Sequence, residues 1–153
     1  MNNIGYLLSD CARSMRRVFD ERMRSSGITG AQARLLLLVQ HDEGQQQSHY
    51  ASKLDVEPIT LCRMVDRLED AQLLERRSDP VDRRARLTFC TPKGRALAGG
   101  LTQQVDQFIA DLNAGLTGMQ RDALHDGLIG LSVRLAEMEL VAGQAQKDLE
   151  NHG

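Results

Sequence analysis

The fold is decided by residues 56–90, which read VEPITLCRMVDRLEDAQLLERRSDPVDRRARLTFC. Pro58 predicts the start of a helix, because the missing amide hydrogen of proline costs nothing in the first helical turn. Behind it, apolar side chains recur every three residues and predict an inward stripe, with polar side chains beside or opposite it. The stripe consists of Ile59, Cys62, Val65 and Leu68, and the side chains around it are Thr60, Arg63, Met64 and Arg67.

A β-hairpin is predicted after this helix. Two extended runs, 74–78 and 86–90, are separated by the turn-rich, charged segment 79–85. Between Arg76 and Arg95, seven Lys or Arg residues stand against two Asp residues, whereas the whole chain has a formal net charge of −2. A basic patch on an acidic protein predicts one surface that meets a polyanion; the alternative is a solvated charged hairpin.

Helical patterns precede this segment. Between residues 5 and 26, apolar residues alternate in steps of four and three, which predicts a helix with one buried seam. Thr29 and Gln32 form a T-x-x-Q capping box that begins a second, almost entirely apolar and therefore buried helix. A short helix at 48–54 comes next, and two short helices joined by a tight turn have helix-turn-helix geometry. The seam of the first helix is Ile4, Leu8, Cys11, Met15 and Val18.

Two long helices are predicted after the hairpin. Thr91-Pro92 caps the first, and Thr117 with Gln120 forms a second T-x-x-Q box that opens the last, which we expect to fray beyond about Ala142. The four-three spacing of their apolar residues is typical of helices that pack at shallow angles. We therefore expect dimerisation through the first and the last two helices, with packing inside one chain as the alternative.

Composition excludes several classes of protein. A chain of 153 residues, 41% hydrophobic and 26% charged, predicts one compact domain. The longest apolar run, 35–39, is too short for a membrane helix, and the first five residues lack a signal-peptide pattern, so we expect the cytoplasm. Three scattered cysteines favour neither disulfides nor a zinc ribbon. Nucleotide-binding and hydrolase motifs are absent from the sequence, so we expect neither an enzyme nor a cofactor.

The segment from Val56 to Gly94 resembles the signature of the MarR family of bacterial winged-helix transcriptional regulators and is most similar to its SlyA-like branch. The residues that carry the resemblance are 56–69, 74–76, 79–85 and 91–94. The resemblance implies a mainly α fold with a small β-hairpin wing, in which a winged helix-turn-helix head stands on a helical dimerisation base. In this sequence the single domain would span 1–153, with the head at 29–91 and the base at 1–27 and 92–142.

The resemblance also implies a function. It predicts a cytoplasmic homodimer that binds double-stranded operator DNA and acts as a repressor, released by a small aromatic acid or phenolic. The second helix of the motif would enter the major groove, where Arg63 can bind guanine or a phosphate, and the wing would reach the minor groove. Asp82 would pair with Arg84 or Arg86 and fix the shape of the wing. The predicted DNA-contact residues are Ser48, Pro58, Thr60, Leu61, Arg63, Met64, Arg67, Arg83, Arg84 and Arg86.

Three positions depart from the family pattern. Gln72 stands where the turn after the recognition helix usually has Gly, which predicts a strained or differently shaped turn. Tyr50, within His49-Tyr50-Ala51, stands where Leu is common and is expected to pack differently. Cys90 replaces an aliphatic residue before the capping Thr. None of these departures removes a predicted DNA contact.

A ligand carboxylate would need a partly buried cation between the head and the base. Arg13, Arg16 and Arg17 on the first helix are the candidates, with Arg17 preferred because it adjoins the apolar seam. Salt bridges between helices or subunits are the alternative for each. His41, at the end of the buried helix, is a weaker candidate and a better fit to a capping role.

Three other functions compete with this interpretation. Cys11 allows a redox sensor, but its place on the apolar seam favours a buried, inert thiol. A metal site could in principle be formed by His41, Asp42, Glu43 and His49, although their spacing fits no known ligand pattern. A helical protein-interaction adaptor that keeps the winged-helix shape without binding DNA is the remaining alternative.

Overall fold

The structure, a computed structural model, describes residues 3–150, with side-chain surroundings for 3–144. Within this range it confirms a mainly α protein with a small antiparallel wing. The helices are α1 (Ile4–Met23), α2 (Gly30–His41), α3 (Gln47–Leu54), α4 (Pro58–Asp70), α5 (Pro92–Ala114) and α6 (Gly118–Glu150), with a 3₁₀ turn at Arg24–Ser26. The strands are β1 (Gln45–Gln46), β2 (Leu74–Ser78) and β3 (Arg86–Cys90), in the order β1-β3-β2.

The chain divides into two compact units, Met1–Phe108 and Ile109–Gly153. In the first unit, Phe19 and Met23 of α1 and Leu101 of α5 lie in the same hydrophobic core as the head. The end of α1 and the beginning of α5 therefore complete the core of the head, whose bounds at residues 29 and 91 stay a prediction.

The two predicted capping boxes are confirmed. The Thr29 hydroxyl accepts a hydrogen bond from the Gln32 amide at 3.2 Å, and the Gln32 side chain accepts one from the Thr29 amide at 2.9 Å. Thr117 and Gln120 repeat the arrangement, with amide bonds of 3.3 and 2.9 Å. Each box satisfies two amides that have no helical partner, so it fixes where the helix begins.

The inward face of α4 differs from the predicted stripe. Leu61, Val65 and Leu68 are buried, whereas Ile59 is 61% exposed. The reason is geometric: a helix advances 100° per residue, so residues spaced by three drift around it and Ile59 ends up opposite Leu68. Spacings of four and three keep the buried residues on one side.

The apolar faces of α1 and α6 are exposed in the single chain. On α1, Ile4 is 68% exposed and Val18 is 45% exposed, and on α6, Leu128 is 43% exposed and Met138 is 54% exposed. In the structure α6 extends to Glu150; fraying beyond Ala142 stays a prediction. Among the helices of residues 3–150, none is long and apolar enough to cross a membrane.

The turn after α4 adopts the strained shape that the sequence predicted. Gln72 has a φ of 60°, in the left-handed region. Its amide donates to the Glu69 carbonyl and the Leu73 amide donates to the Leu68 carbonyl, both at 2.8 Å. This pair of hydrogen bonds is a Schellman motif. Its left-handed position is most often glycine, because in any other residue the Cβ lies too close to the following carbonyl oxygen.

Replacing Gln72 with glycine is expected to raise the free energy of unfolding by about 1 kcal/mol, because glycine removes the cost of the left-handed conformation. Urea unfolding followed by circular dichroism measures the change. Gln72→Ala is the matched control and should give no gain, since alanine keeps the Cβ. A glycine variant no more stable than the alanine variant would contradict this explanation.

Tyr50 is packed in the core at the position where leucine is common, and its hydroxyl also forms hydrogen bonds. The residue is fully buried. Its hydroxyl donates to the Asp42 carbonyl at 2.7 Å and accepts from the Gln45 amide at 3.3 Å. Burial raises the pKa of Tyr50 to about 12. The departure from leucine therefore ties α3 to the turn that follows α2.

Tyr50→Phe is expected to lower the free energy of unfolding by about 1–2 kcal/mol at pH 8, because it leaves these backbone groups without their partner. The advantage of tyrosine should shrink as pH rises from 10 towards 12. In that interval the unfolded tyrosine ionises while the folded one, with a pKa raised above 10.0 to about 12, stays protonated. Urea unfolding of both proteins at pH 8 and pH 11 tests this, and a constant difference would refute it.

Candidate nucleic-acid interface

Helices α3 and α4 form the helix-turn-helix. The turn between them is tight: Asp55 has a φ of 52°, and the Val56 amide donates to the Ala51 carbonyl at 3.1 Å. Pro58 lies at the start of α4, as predicted. With Leu61, Val65 and Leu68 buried, the opposite side of α4 faces outward. Of the predicted contact residues, Ser48, Pro58, Thr60, Arg63 and Arg67 are exposed and Met64 is half-buried.

Leu61 is a correction to the predicted contact set. Its side chain is fully buried in the core beneath α4, so it cannot reach a base edge. It belongs to the same inward face as Val65, and its role is to hold the recognition helix against the head.

A cleft lies between the beginning of α2 and the outward side of α4. Its volume is about 220 Å³. Between residues 3 and 144, neither Arg63 nor Arg67 has a carboxylate partner. Two unpaired guanidinium groups beside short hydroxyl side chains can bind phosphate oxygens or a guanine edge. The cleft is lined by Thr29, Gln32, Thr60, Arg63, Met64 and Arg67.

The tip of the wing is shaped by two aspartates. The Asp79 carboxylate accepts from the Val81 amide at 2.7 Å, and the Asp82 carboxylate accepts from the Arg84 amide at 3.0 Å. Asp82 therefore holds the backbone of Arg84 rather than the predicted guanidinium of Arg84 or Arg86. The sequence predicted a turn at 79–85 but assigned no role to Asp79, although aspartate before proline favours the start of a turn.

These turns leave the arginines of the wing in solvent. Arg83, Arg84 and Arg86 are all exposed. Val81, beside them, is 94% exposed. An exposed arginine on a protruding loop suits the negative potential of a narrow minor groove.

The effector candidates on α1 are exposed. Arg13 pairs with Asp10, and Arg17 donates to the Ser14 hydroxyl at 3.3 Å. Arg16 and His41 are exposed as well, and within residues 3–144 no hydrogen bond joins His41 to these arginines. The structure therefore does not assemble the four residues into one site.

A second set of cations, missed from sequence, lies deeper in the first unit. Arg34 is 5.7 Å from the centre of the Phe19 ring and 2.7 Å from the Asp20 carboxylate. Arg22 is 5.1 Å from the centre of the Phe108 ring. The sequence did contain a signal, since Arg34 stands directly before the apolar run 35–39 of α2.

The groups considered for a metal have other partners. Asp42 pairs with His49 at 2.8 Å. Glu43 pairs with Arg95 at 2.7 Å and accepts from the Cys90 amide at 2.9 Å. Burial alone would raise the pKa of Glu43, but these contacts lower it overall. Across the described residues, no group of three His, Cys, Asp or Glu side chains is arranged to hold a metal ion.

The structure differs from the expectation that Cys11 is buried. Cys11 is exposed in the single chain rather than buried, because the α1 seam is uncovered. Cys90 is buried, and burial raises the pKa of its thiol to about 11. A thiol that stays protonated at neutral pH is a weak nucleophile, so Cys90 serves as core packing.

The helix-turn-helix, the basic outward side of α4 and the three-stranded wing together define a winged helix-turn-helix protein. Residues 28–85 match the MarR family. This segment therefore resembles a MarR-family domain, and the curated proteins similar to the chain are described as transcriptional regulators.

Three similar proteins illustrate the match. The chain is 30% identical over 111 residues to a protein of Thauera aromatica described as a transcriptional regulatory protein for the hcr operon; the match covers 72% of this chain and 64% of that relative. The chain thus spans less than two thirds of that relative's length. The transcriptional repressor CouR, solved with a 23-mer DNA duplex, is 28% identical with a TM-score of 0.75, and the match covers 85% of this chain and 92% of CouR.

The third is BpsR of Bordetella bronchiseptica, whose DNA binding is described as regulated by 6-hydroxynicotinic acid. It is 25% identical with a TM-score of 0.74, and the match covers 86% of this chain and 94% of BpsR. These matches support the family as a whole, and the SlyA-like branch stays a prediction.

Proposed function

We propose that this protein is a homodimeric, sequence-specific double-stranded DNA-binding regulator that represses transcription. The observation that carries the proposal is the outward side of α4, where Thr60, Arg63 and Arg67 are exposed and, within residues 3–144, both arginines lack a carboxylate partner. Arg63, near the helix start, would bind a guanine edge or a phosphate, and Arg67, one turn further, would bind a phosphate.

The wing supplies the second contact. Arg83, Arg84 and Arg86 would lie along the adjacent minor groove, held by the two aspartate turns. Pro58, Met64 and Ser48 would complete the contact to the DNA backbone and the groove wall. The complex of CouR with a DNA duplex supports this arrangement by analogy.

Dimerisation would use the uncovered apolar faces of α1 and of α6. Each presents apolar side chains that are about half exposed, such as Val18 on α1 and Leu135 on α6, which are 45% and 49% exposed. Two-fold symmetry would then place two recognition helices about one DNA turn apart and read a pseudo-palindromic operator.

A small aromatic acid or phenolic would release the DNA. Arg13, Arg16, Arg17 and His41 are exposed candidates for its carboxylate. Arg34 is a more buried cation, because its side chain is 32% exposed and lies over the Phe19 ring, whereas that of Arg13 is 72% exposed, but Arg34 already pairs with the Asp20 carboxylate. The regulation of BpsR by 6-hydroxynicotinic acid supports the ligand class.

The proposal is tested by selecting bound fragments from a random-sequence duplex library and titrating the selected DNA with salt and non-specific competitor. A recurring palindrome, bound in the presence of competitor and more weakly as salt rises, is the expected result. Several phosphate contacts give a slope of log affinity against log salt of about −0.9 per contact. No enriched sequence, or binding that competitor abolishes, would refute the proposal and favour the adaptor.

A further inference from the structure

Arg76, on β2, reaches across to the recognition helix. Its guanidinium contacts the Asp66 carboxylate at 2.5 Å and also pairs with Glu69. Its backbone amide donates to the other Glu69 carboxylate oxygen at 3.1 Å. The Arg76 side chain is only 17% exposed, whereas those of Asp66 and Glu69 are 54% and 39% exposed.

The geometry of this contact constrains the helix in more than one direction. Asp66 and Glu69 lie three residues apart and therefore on the same side of α4. A planar guanidinium that binds two carboxylates restricts rotation of the helix about its axis as well as its separation from the strand. Arg76 lies directly opposite Thr88 of β3 in the antiparallel sheet, so the backbone of Arg76 is anchored in the wing.

The contact also determines which partners remain for Arg63. Asp66 lies three residues after Arg63, a spacing at which opposite charges on a helix pair. Asp66 binds Arg76 instead, and Arg63 has no carboxylate partner among residues 3–144. Because Arg76 binds Asp66, Arg63 remains available to bind DNA.

We propose that Arg76 is a positioning residue for DNA recognition: it fixes α4 relative to the wing and keeps Asp66 away from Arg63. This inference rests on the proposed function. The recognition helix and the wing are then presented to DNA as one rigid pair, and the preference for the operator over other DNA depends on a residue that does not touch DNA.

Arg76→Gln is the principal test, with Arg77→Gln as its matched control. Arg77 is the next residue of the same strand, but it pairs with Glu75 and lies 4.3 Å from the centre of the Phe89 ring, away from α4. Both variants lose one positive charge. We expect Arg76→Gln to lower the affinity for the selected DNA about tenfold, and Arg77→Gln to change it by less than about threefold. Equal losses would show that only net charge matters and would overturn the proposal.

Asp66→Asn separates positioning from electrostatics and covers the case in which Arg76→Gln fails to fold. Asp66 is 54% exposed, so the variant should fold. Removing a negative charge near DNA would by itself strengthen binding to any sequence. Positioning instead predicts that the ratio of selected to non-selected affinity falls by about threefold or more. An unchanged or increased ratio would contradict it.

A measurement without DNA makes the inference independent of the proposed function. Spin labels at Ile59→Cys on α4 and Val81→Cys on the wing, in a background with Cys11 and Cys62 replaced by serine, report the distance between the two elements. Labelled chains are diluted with unlabelled protein. Arg76→Gln should broaden the distance distribution and Arg77→Gln should leave it unchanged. An equally narrow distribution in Arg76→Gln would refute the positioning role even if the DNA selection succeeds.

Discussion

Replacing Gly94 with alanine is expected to destabilise the first unit by about 4 kcal/mol or more, enough to leave much of the protein unfolded. A Cβ at this position would lie 1.9 Å from the Leu73 carbonyl oxygen and 2.9 Å from its carbonyl carbon. These are backbone atoms, so no side-chain rotation relieves the clash. The same oxygen accepts from the Thr91 amide at 3.1 Å, and that hydrogen bond would break when the backbone moves.

Urea unfolding and the yield of soluble protein measure this effect. Gly99→Ala is the matched control, because Gly99 is on the same helix and its Cβ would meet nothing within 4 Å. It should be as stable as the parent or up to about 1 kcal/mol more stable, since alanine favours the helix. A Gly94→Ala protein with the stability of Gly99→Ala would show that α5 can move away from Leu73 at little cost.

Arg83→Ala combined with Arg84→Ala is expected to lower the affinity for selected DNA by roughly 10- to 100-fold at about 150 mM salt. Both side chains are exposed, and the aspartate turns that shape the wing use backbone amides, so folding and dimerisation should persist. The salt dependence should weaken by about one unit of slope for each phosphate that the variant no longer binds. Fluorescence anisotropy at several salt concentrations measures both quantities.

Arg24→Ala combined with Arg134→Ala is the control for net charge. It also removes two exposed arginines, which pair with Glu21 and Glu137 and lie outside the helix-turn-helix and the wing. We expect DNA affinity to change by less than about threefold. If the two double variants weaken DNA binding equally, the wing has no specific role. The weaker binding would then come from the loss of positive charge alone.

Local signals in the sequence were sufficient to predict most of the helices. Capping boxes at Thr29 and Thr117 and proline at Pro58 act over three or four residues, and each marks a helix start within one residue of its observed position. The strands of the wing were predicted at their observed bounds. The two-residue strand at Gln45–Gln46 was not, because only its pairing with β3 makes it a strand.

The candidate site was predicted in outline but not in its supporting contacts. The exposed arginines follow from their position opposite the apolar side of α4. Arg76 does not, since its partners lie seven and ten residues earlier, across a turn whose shape the sequence does not specify. Asp82 was assigned a side-chain partner, but a short carboxylate in a turn reaches an amide two residues on more easily.

The close approach of α5 to the end of α4 has a mechanical consequence. The Lys93 ammonium donates to the Ala71 carbonyl at 2.8 Å, and the Thr91 hydroxyl donates to the Gln72 carbonyl at 2.6 Å. The carbonyls of Ala71 and Gln72, the two residues that follow the recognition helix, are therefore bound by Thr91 and Lys93 at the beginning of α5, and Gly94 allows direct backbone contact. A tilt of α5 would therefore pull directly on the turn that ends the recognition helix.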